Sequence, residues 1–143
     1  MNGDSDGARD AVNRLFEATN AHDIDSLTRC FAEEYLNETP AHPSRGFRGR
    51  DQVRKNWTTI FHGVPDIRAE VVRAAYYGNE AWIECEMSGT RRDGAHHLMR
   101  GVIMFTVESG LMVSARFYLE PVDTGGLSVD EAVASVIGAS ASV

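Results

Sequence analysis

Residues 66–122 read DIRAEVVRAAYYGNEAWIECEMSGTRRDGAHHLMRGVIMFTVESGLMVSARFYLEPV, and this stretch decides the fold. Three short turn signals, Gly78-Asn79, Asp93-Gly94 and Ser109-Gly110, divide it into runs rich in β-branched and aromatic residues. The runs are Asp66–Tyr77, Glu80–Thr90, His96–Glu108 and Leu111–Val122. Turns this short force consecutive strands to pair antiparallel, so the runs form a meander. They are longer than the roughly 5–6 residues of an ordinary strand, which predicts strong curvature.

Upstream of the meander the apolar period becomes helical. Ala8, Val12, Leu15, Phe16 and Thr19 define a helix from about Gly7 to Asn20. Asp23 is placed to cap a second helix, whose apolar face is Ile24, Leu27 and Phe31. An extended piece, Glu34–Thr39, ends at Pro40, and the Pro- and Gly-containing stretch 41–49 reads as a loop. A third helix is expected from Arg50 to about His62, with Val53, Trp57 and Ile60 on one side. Downstream, Ser128 and Glu131 form a capping box ahead of Val129, Ala132, Val133, Val136 and Ile137. That last helix is amphipathic enough to need a surface to cover, its own sheet or a partner's.

Helices followed by a meander make an α+β fold: a curved antiparallel sheet roofed by amino-terminal helices, with an extra carboxy-terminal helix. A strongly bent sheet cannot fill its own concave side, so a pocket is expected between sheet and roof. The expected organisation is one domain over 1–143, with a core at about 8–123 and a helical extension at 124–143. At 143 residues the chain buries enough surface to fold without metal or disulfide.

A net charge of −7 argues against nucleic acid or an anionic membrane as partner. Arg45, Arg48, Arg50, Arg54 and Lys55 crowd one segment, which reads as a solvated face. Cys30 and Cys85 have no framework spacing and read as reduced, buried thiols. The polar, acidic stretch Met1–Asp6 is the opposite of a secretory signal, so a cytoplasmic location is expected. His22, His42, His62, His96 and His97 are scattered, and no spacing suggests a metal site. No phosphate-binding glycine motif marks a nucleotide cofactor, and no GxSxG elbow marks a serine hydrolase.

Strand alternation assigns side chains to faces. Ala81, Ile83, Cys85 and Met87 form an apolar set, against Trp82, Glu84, Glu86 and Ser88. In the last strand Val113, Ala115, Phe117 and Leu119 stand against Arg116, Tyr118 and Glu120. A plain amphipathic sheet puts the polar sets in water, against which Trp82 and Tyr118 are large for a purely solvated face; both orientations stay open. In the pocket, desolvation raises a carboxylate's pKa and suits it to proton transfer, while a neighbouring Arg opposes that shift. Tyr35 and Asn37 alternate on one extended segment and can together orient a carbonyl, a hydroxyl or a water.

Four pieces, Asn20–Leu27, Tyr35-Leu36-Asn37, Gly49-Arg50-Asp51-Gln52-Val53 and Ser114–Glu120, occur in an order that resembles the nuclear-transport-factor-2-like superfamily. The chain is most similar to its SnoaL-like polyketide cyclases and limonene epoxide hydrolases, over about Ala8–Asp123. The resemblance implies a cone-shaped domain, a homodimer through the outer sheet face, a deep apolar pocket and no cofactor. In the cyclases an Asp near the end of the last strand is the acid/base, and Glu120 stands at that position. In the epoxide hydrolases a Tyr and an Asn spaced like Tyr35 and Asn37 hold the attacking water, beside an Asp-Arg-Asp set. Glu120 and Glu86 match the acids, but Glu84 occupies the Arg position, leaving Arg100 or Arg116 to replace it.

The leading expectation is a cofactor-independent enzyme acting on a small, mostly apolar cyclic or polyketide-like substrate by acid/base proton transfer. Glu120, Tyr35, Asn37 and Arg116 are its catalytic candidates; Trp57, Trp82, Glu84, Arg100 and Tyr118 are its substrate-binding candidates. The alternatives are a non-catalytic binder of a small hydrophobic molecule and an epoxide hydrolase.

Overall fold

The computed structural model describes residues 3–138, with side chains from Ser5 onward. Helix α1 spans Gly3–Asn20 and buries Ala8, Ala11, Val12, Leu15 and Ala18, one per turn or so along a single stripe. Helix α2, Ile24–Arg29, is capped as the sequence suggests: the Asp23 carboxylate accepts from Ser26 N at 3.1 Å. Strand β1, Phe31–Glu38, begins three residues earlier than the sequence reading, because the chain turns straight out of α2 into the sheet.

The stretch read as a loop holds a 3₁₀ turn at Pro43–Arg45 and a two-residue strand β2, Phe47–Arg48, paired antiparallel with β1. Helix α3 spans Arg50–Gly63. The meander follows as β3 (Arg68–Tyr77), β4 (Glu80–Thr90), β5 (His96–Glu108) and β6 (Leu111–Pro121). Ser109 and Gly110 both have positive φ, 51° and 79°, the two-residue hairpin turn whose twist suits antiparallel strands.

The sheet order is β2-β1-β6-β5-β4-β3, and β1 runs parallel to β6. That parallel pair carries Asn37 opposite Ala115 and Glu38 opposite Arg116. Register breaks in β3 at Val71/Arg73 and between β5 and β6 at Thr106/Val107 bend the ladder. Gly101 supports the bend, since a Cβ there would run into the Tyr118 carbonyl. The sheet is curved and open. Its concave side packs Ala81, Ile83, Cys85, Ile103, Phe105, Met112 and Ala115 against α1.

The end of α1 is fastened to the start of β3. Asn20 donates through Nδ2 to Ala69 O at 2.9 Å and accepts from Ala69 N at 2.7 Å, copying a strand neighbour. His22 Nε2 meets Ile67 O at 2.7 Å, and its ring stacks on Phe61. Helix α4, Val129–Val136, has the complete Ser128/Glu131 capping box. Its apolar residues Val129, Val133 and Val136, and Ile137 just beyond, are exposed. Residues 139–143 of the carboxy-terminal extension and residues 1–2 lie outside the described residues.

Candidate functional site

Between the concave sheet and α3 lies a cavity of about 320 Å³. Its walls are Phe31, Phe47, Trp57, Ile60, Met87, Met99, Phe117 and Leu119, which share the apolar strand phase or face inward from α3. A smaller space of about 30 Å³ continues inward between Leu15, Phe16, Ile103 and Phe105. Phe31, Trp57, Met87 and Phe117 border both spaces. The chamber is therefore apolar at depth, and its polar groups gather toward the other end: Asn37, Thr39, Arg45, Asn56, His97 and Glu120.

Tyr35 and Asn37 meet as their alternation suggests. The Tyr35 hydroxyl donates to Asn37 Oδ1 at 2.8 Å, with the two residues 1% and 7% exposed. Burial pushes the Tyr35 phenol far above its ordinary range, so it stays protonated and acts only as a donor to Asn37. Its ring is held edge-on to Phe31, with centroids 4.8 Å apart, and tilted against Phe47. Because Asn37 Oδ1 accepts from Tyr35, the amide is oriented with Nδ2 as its remaining donor group.

Glu120 stands in the outer phase of β6, opposite Arg100, yet the residue borders the chamber at the strand's end. It meets His42 Nε2 at 2.7 Å, with side-chain exposures of 48% and 33%. His97 points into the chamber and its neighbour His96 into solvent, as strand alternation requires. Desolvation first, then the charges of Arg91 and His96, hold the His97 imidazole below its ordinary value and hence neutral near pH 7. A neutral imidazole has both a donor and an acceptor nitrogen to offer.

Residues 12–115 match the SnoaL-like domain. The chain belongs to the SnoaL-like family. No curated protein sequence matches it. Solved structures share its fold at low identity. A candidate ketosteroid isomerase from Kribbella flavida DSM 17836 is 18% identical, covers 86% of this chain and 83% of its own, and superposes with a TM-score of 0.67. IdmH, a candidate polyketide cyclase from Streptomyces antibioticus, is 21% identical over 78% of this chain and 91% of its own, with a TM-score of 0.68. RV0760c from Mycobacterium tuberculosis, solved in complex with estradiol-17beta-hemisuccinate, is 17% identical over 87% of this chain and 96% of its own, also at 0.68.

Of the residues singled out from sequence, this SnoaL-like domain brings Tyr35, Asn37, Trp57 and Glu120 to the chamber. The placement of Trp82, Glu84, Arg100, Arg116 and Tyr118 is a correction. Three cross-strand rows, Trp82–Met104–Arg116, Glu84–Val102–Tyr118 and Glu86–Arg100–Glu120, lie on the outer face. Trp82 is 51% and Tyr118 40% exposed. The reason is hydrophobic: the uniformly apolar sets of β4 and β6 must face the helical roof, and alternation then sends their counterparts outward. Arg116 pairs with Glu38 at 3.2 Å and Arg100 with Glu86 at 2.7 Å, so neither serves Glu120.

The sequence reading missed His42, Arg45, Thr39, Asn56 and His97. The phase of Met87 and Met99 would have found His97, two residues before Met99 on the same face. Nothing local signals His42, which reaches Glu120 from a loop 78 residues away. Among the described residues no three metal-ligating side chains cluster, and no helix is long and apolar enough to cross a membrane.

Proposed function

We propose that the chamber binds a small, mostly apolar ring-bearing or polyketide-like ketone and that Glu120 moves a proton on it without a cofactor. One observation carries this: the chamber, apolar at depth, is bordered at its polar end both by Asn37, whose amide Tyr35 orients, and by Glu120, which His42 holds. Asn37 Nδ2 donates to the carbonyl oxygen, and the Glu120 carboxylate takes a proton from the adjacent carbon. The resulting enolate oxygen keeps its amide donor. Return of the proton at another carbon isomerises the substrate. Attack of the enolate carbon on a second carbonyl forms a ring, and the new alkoxide takes the proton from Glu120. His42 fixes the carboxylate's orientation throughout.

The names of the solved structures that share the fold, a candidate ketosteroid isomerase and a candidate polyketide cyclase among them, support this class of chemistry. Epoxide hydrolysis is disfavoured because Glu84 takes the place of the electrophilic Arg, and Arg100 and Arg116 are paired with Glu86 and Glu38. A second reading, binding without chemistry, is favoured by one feature: Glu120 is already paired and half exposed, not enclosed among apolar walls. RV0760c holding an estradiol ester is in keeping with it.

The two readings separate on deuterium exchange at the α-carbon of 1-tetralone, followed by NMR in D₂O. Catalysis predicts exchange above the buffer rate that falls about a hundredfold in Glu120→Gln. Saturable binding with no exchange selects the binder, and equal rates in wild type and variant end the role of Glu120.

The outer face suggests a homodimer. Trp82 and Tyr118 are large exposed groups on the outer side of the sheet, cross-strand partners of the half-buried Met104 and Val102. Sedimentation of wild type and Trp82→Glu checks it: a dimer that the variant dissociates supports the reading, and a wild-type monomer at micromolar concentration ends it.

A further inference from the structure

His97 is the one side chain shared by the walls of the chamber and of an open depression of about 470 Å³ on the surface. The rest of that depression is Gly63, Val64, Arg91, Arg92 and Asp93. We propose that the chamber's ligand carries an anionic end, a carboxylate, that passes His97 and is held by Arg91 and Arg92. This rests on the reading that the chamber takes a small apolar molecule, and it specifies the polarity of that molecule's other end.

The turn is built to present these arginines. Arg91 N donates to Ala95 O at 2.8 Å and Gly94 N donates to Arg91 O at 2.9 Å, closing the β4–β5 connection tightly. Arg92 Nε donates to His62 O at 2.6 Å, which ties the arginine to the last turn of α3 and leaves its terminal nitrogens to other acceptors. Arg91 takes no part in the ion pairs among the described residues, which engage Arg54, Arg100 and Arg116. Asp93 is the depression's own acid, but its Oδ1 accepts from Ala95 N at 2.9 Å and serves the turn. Two cations thus face one acid, in a chain of net charge −7.

The chamber's polarity agrees. Its deep end is lined by Leu15, Phe16 and Phe105, while Asn37, His97 and Glu120 stand toward the other end. A molecule with one apolar and one charged end is thereby given a direction. A neutral His97 between the two spaces can donate one hydrogen bond to a passing oxygen without imposing a second charge. Desolvation, and after it the charge of Arg91, keep His97 neutral, and that same arginine charge attracts the carboxylate.

The probes are 3-(2-naphthyl)propanoate and the uncharged 3-(2-naphthyl)propan-1-ol, titrated calorimetrically into wild type, Arg91→Gln and Arg91→Gln/Arg92→Gln at low and high salt. The proposal expects the acid to bind roughly fivefold more tightly than the alcohol at low salt, as for a partly exposed ion pair. Salt and either variant should erase that preference while alcohol affinity holds. Arg91→Gln leaves the Arg92–His62 bond in place, so it reads the charge even if the double variant unfolds. Alcohol binding with no preference for the acid overturns the proposal and leaves the chamber reading intact. So does a preference that persists in Arg91→Gln or disappears in Arg45→Gln, a residue that borders the chamber and not the depression. Failure of both probes to bind removes the chamber reading and this one with it.

Discussion

Replacing Tyr35 with Phe removes one oxygen from a site that has no other donor for Asn37. The ring keeps its packing against Phe31 and Phe47, so no cavity beyond the hydroxyl is created. What changes is Asn37 Oδ1, which loses its 2.8 Å donor in a residue only 7% exposed. Leaving a buried acceptor unpaired costs about 1–3 kcal/mol. At about 2.1 cal/mol/K per residue, a chain of 143 residues has an unfolding entropy of about 0.3 kcal/mol/K. A loss of about 2 kcal/mol then lowers Tm by about 7 °C. Scanning calorimetry of Tyr35→Phe, Asn37→Leu and the double variant measures this as a cycle. The double variant should lose about 1 kcal/mol less than the sum of the singles, because it strands no acceptor. A Tyr35→Phe protein that melts with wild type, or strictly additive losses, would refute the hydrogen bond as the element that orients the amide.

Two further measurements follow from buried titratable groups. His97 binds a proton less readily folded than unfolded, so its contribution to stability is complete above the ordinary value of 6.5 and declines as pH falls below it. Urea unfolding of His97→Gln between about pH 7 and 5 should show a shallower acid loss than wild type; parallel curves contradict the shift. Burial first, and then the neighbouring Glu84 charge, push the Cys85 thiol up to about 11, and burial also raises Cys30. Ellman's reagent at pH 8 should therefore label the native chain far more slowly than the unfolded one, which releases both thiols. Rapid labelling of either thiol in the native state contradicts their burial.

The legibility of the fold and of the site diverges for physical reasons. Periodicity is local, so the helices, the four meander strands and the Ser128/Glu131 cap could be read within a few residues of their ends. Pairing between distant elements is not local. Neither the parallel contact of β1 with β6 nor the short β2 has a signature in the residues that make it. The Tyr35–Asn37 contact was legible because alternation two residues apart determines it. Side-chain size alone does not place Trp82 and Tyr118, because apolar uniformity decides which sheet face turns inward. The uniform set, Ala81, Ile83, Cys85 and Met87, is what the roof requires. Phase does not supply Glu120's place at the chamber, nor its contact with a loop histidine at the end of β6.

The parallel seam between β1 and β6 also sets an order in time. Asn37 is in register with Ala115, and Glu38 reaches Arg116 across 78 residues of chain. A nascent chain therefore emerges with α1, α2 and β1 already made but with one edge of β1 open until β6 arrives. Contacts of such separation slow folding, because the loop between them must be ordered before they repay it. An exposed strand edge in the interval is a template for pairing with other chains. The wall that holds Tyr35 and Asn37 is thus among the last parts of the molecule to be completed, and chains ending before β6 should be found in aggregates, not in partly active monomers.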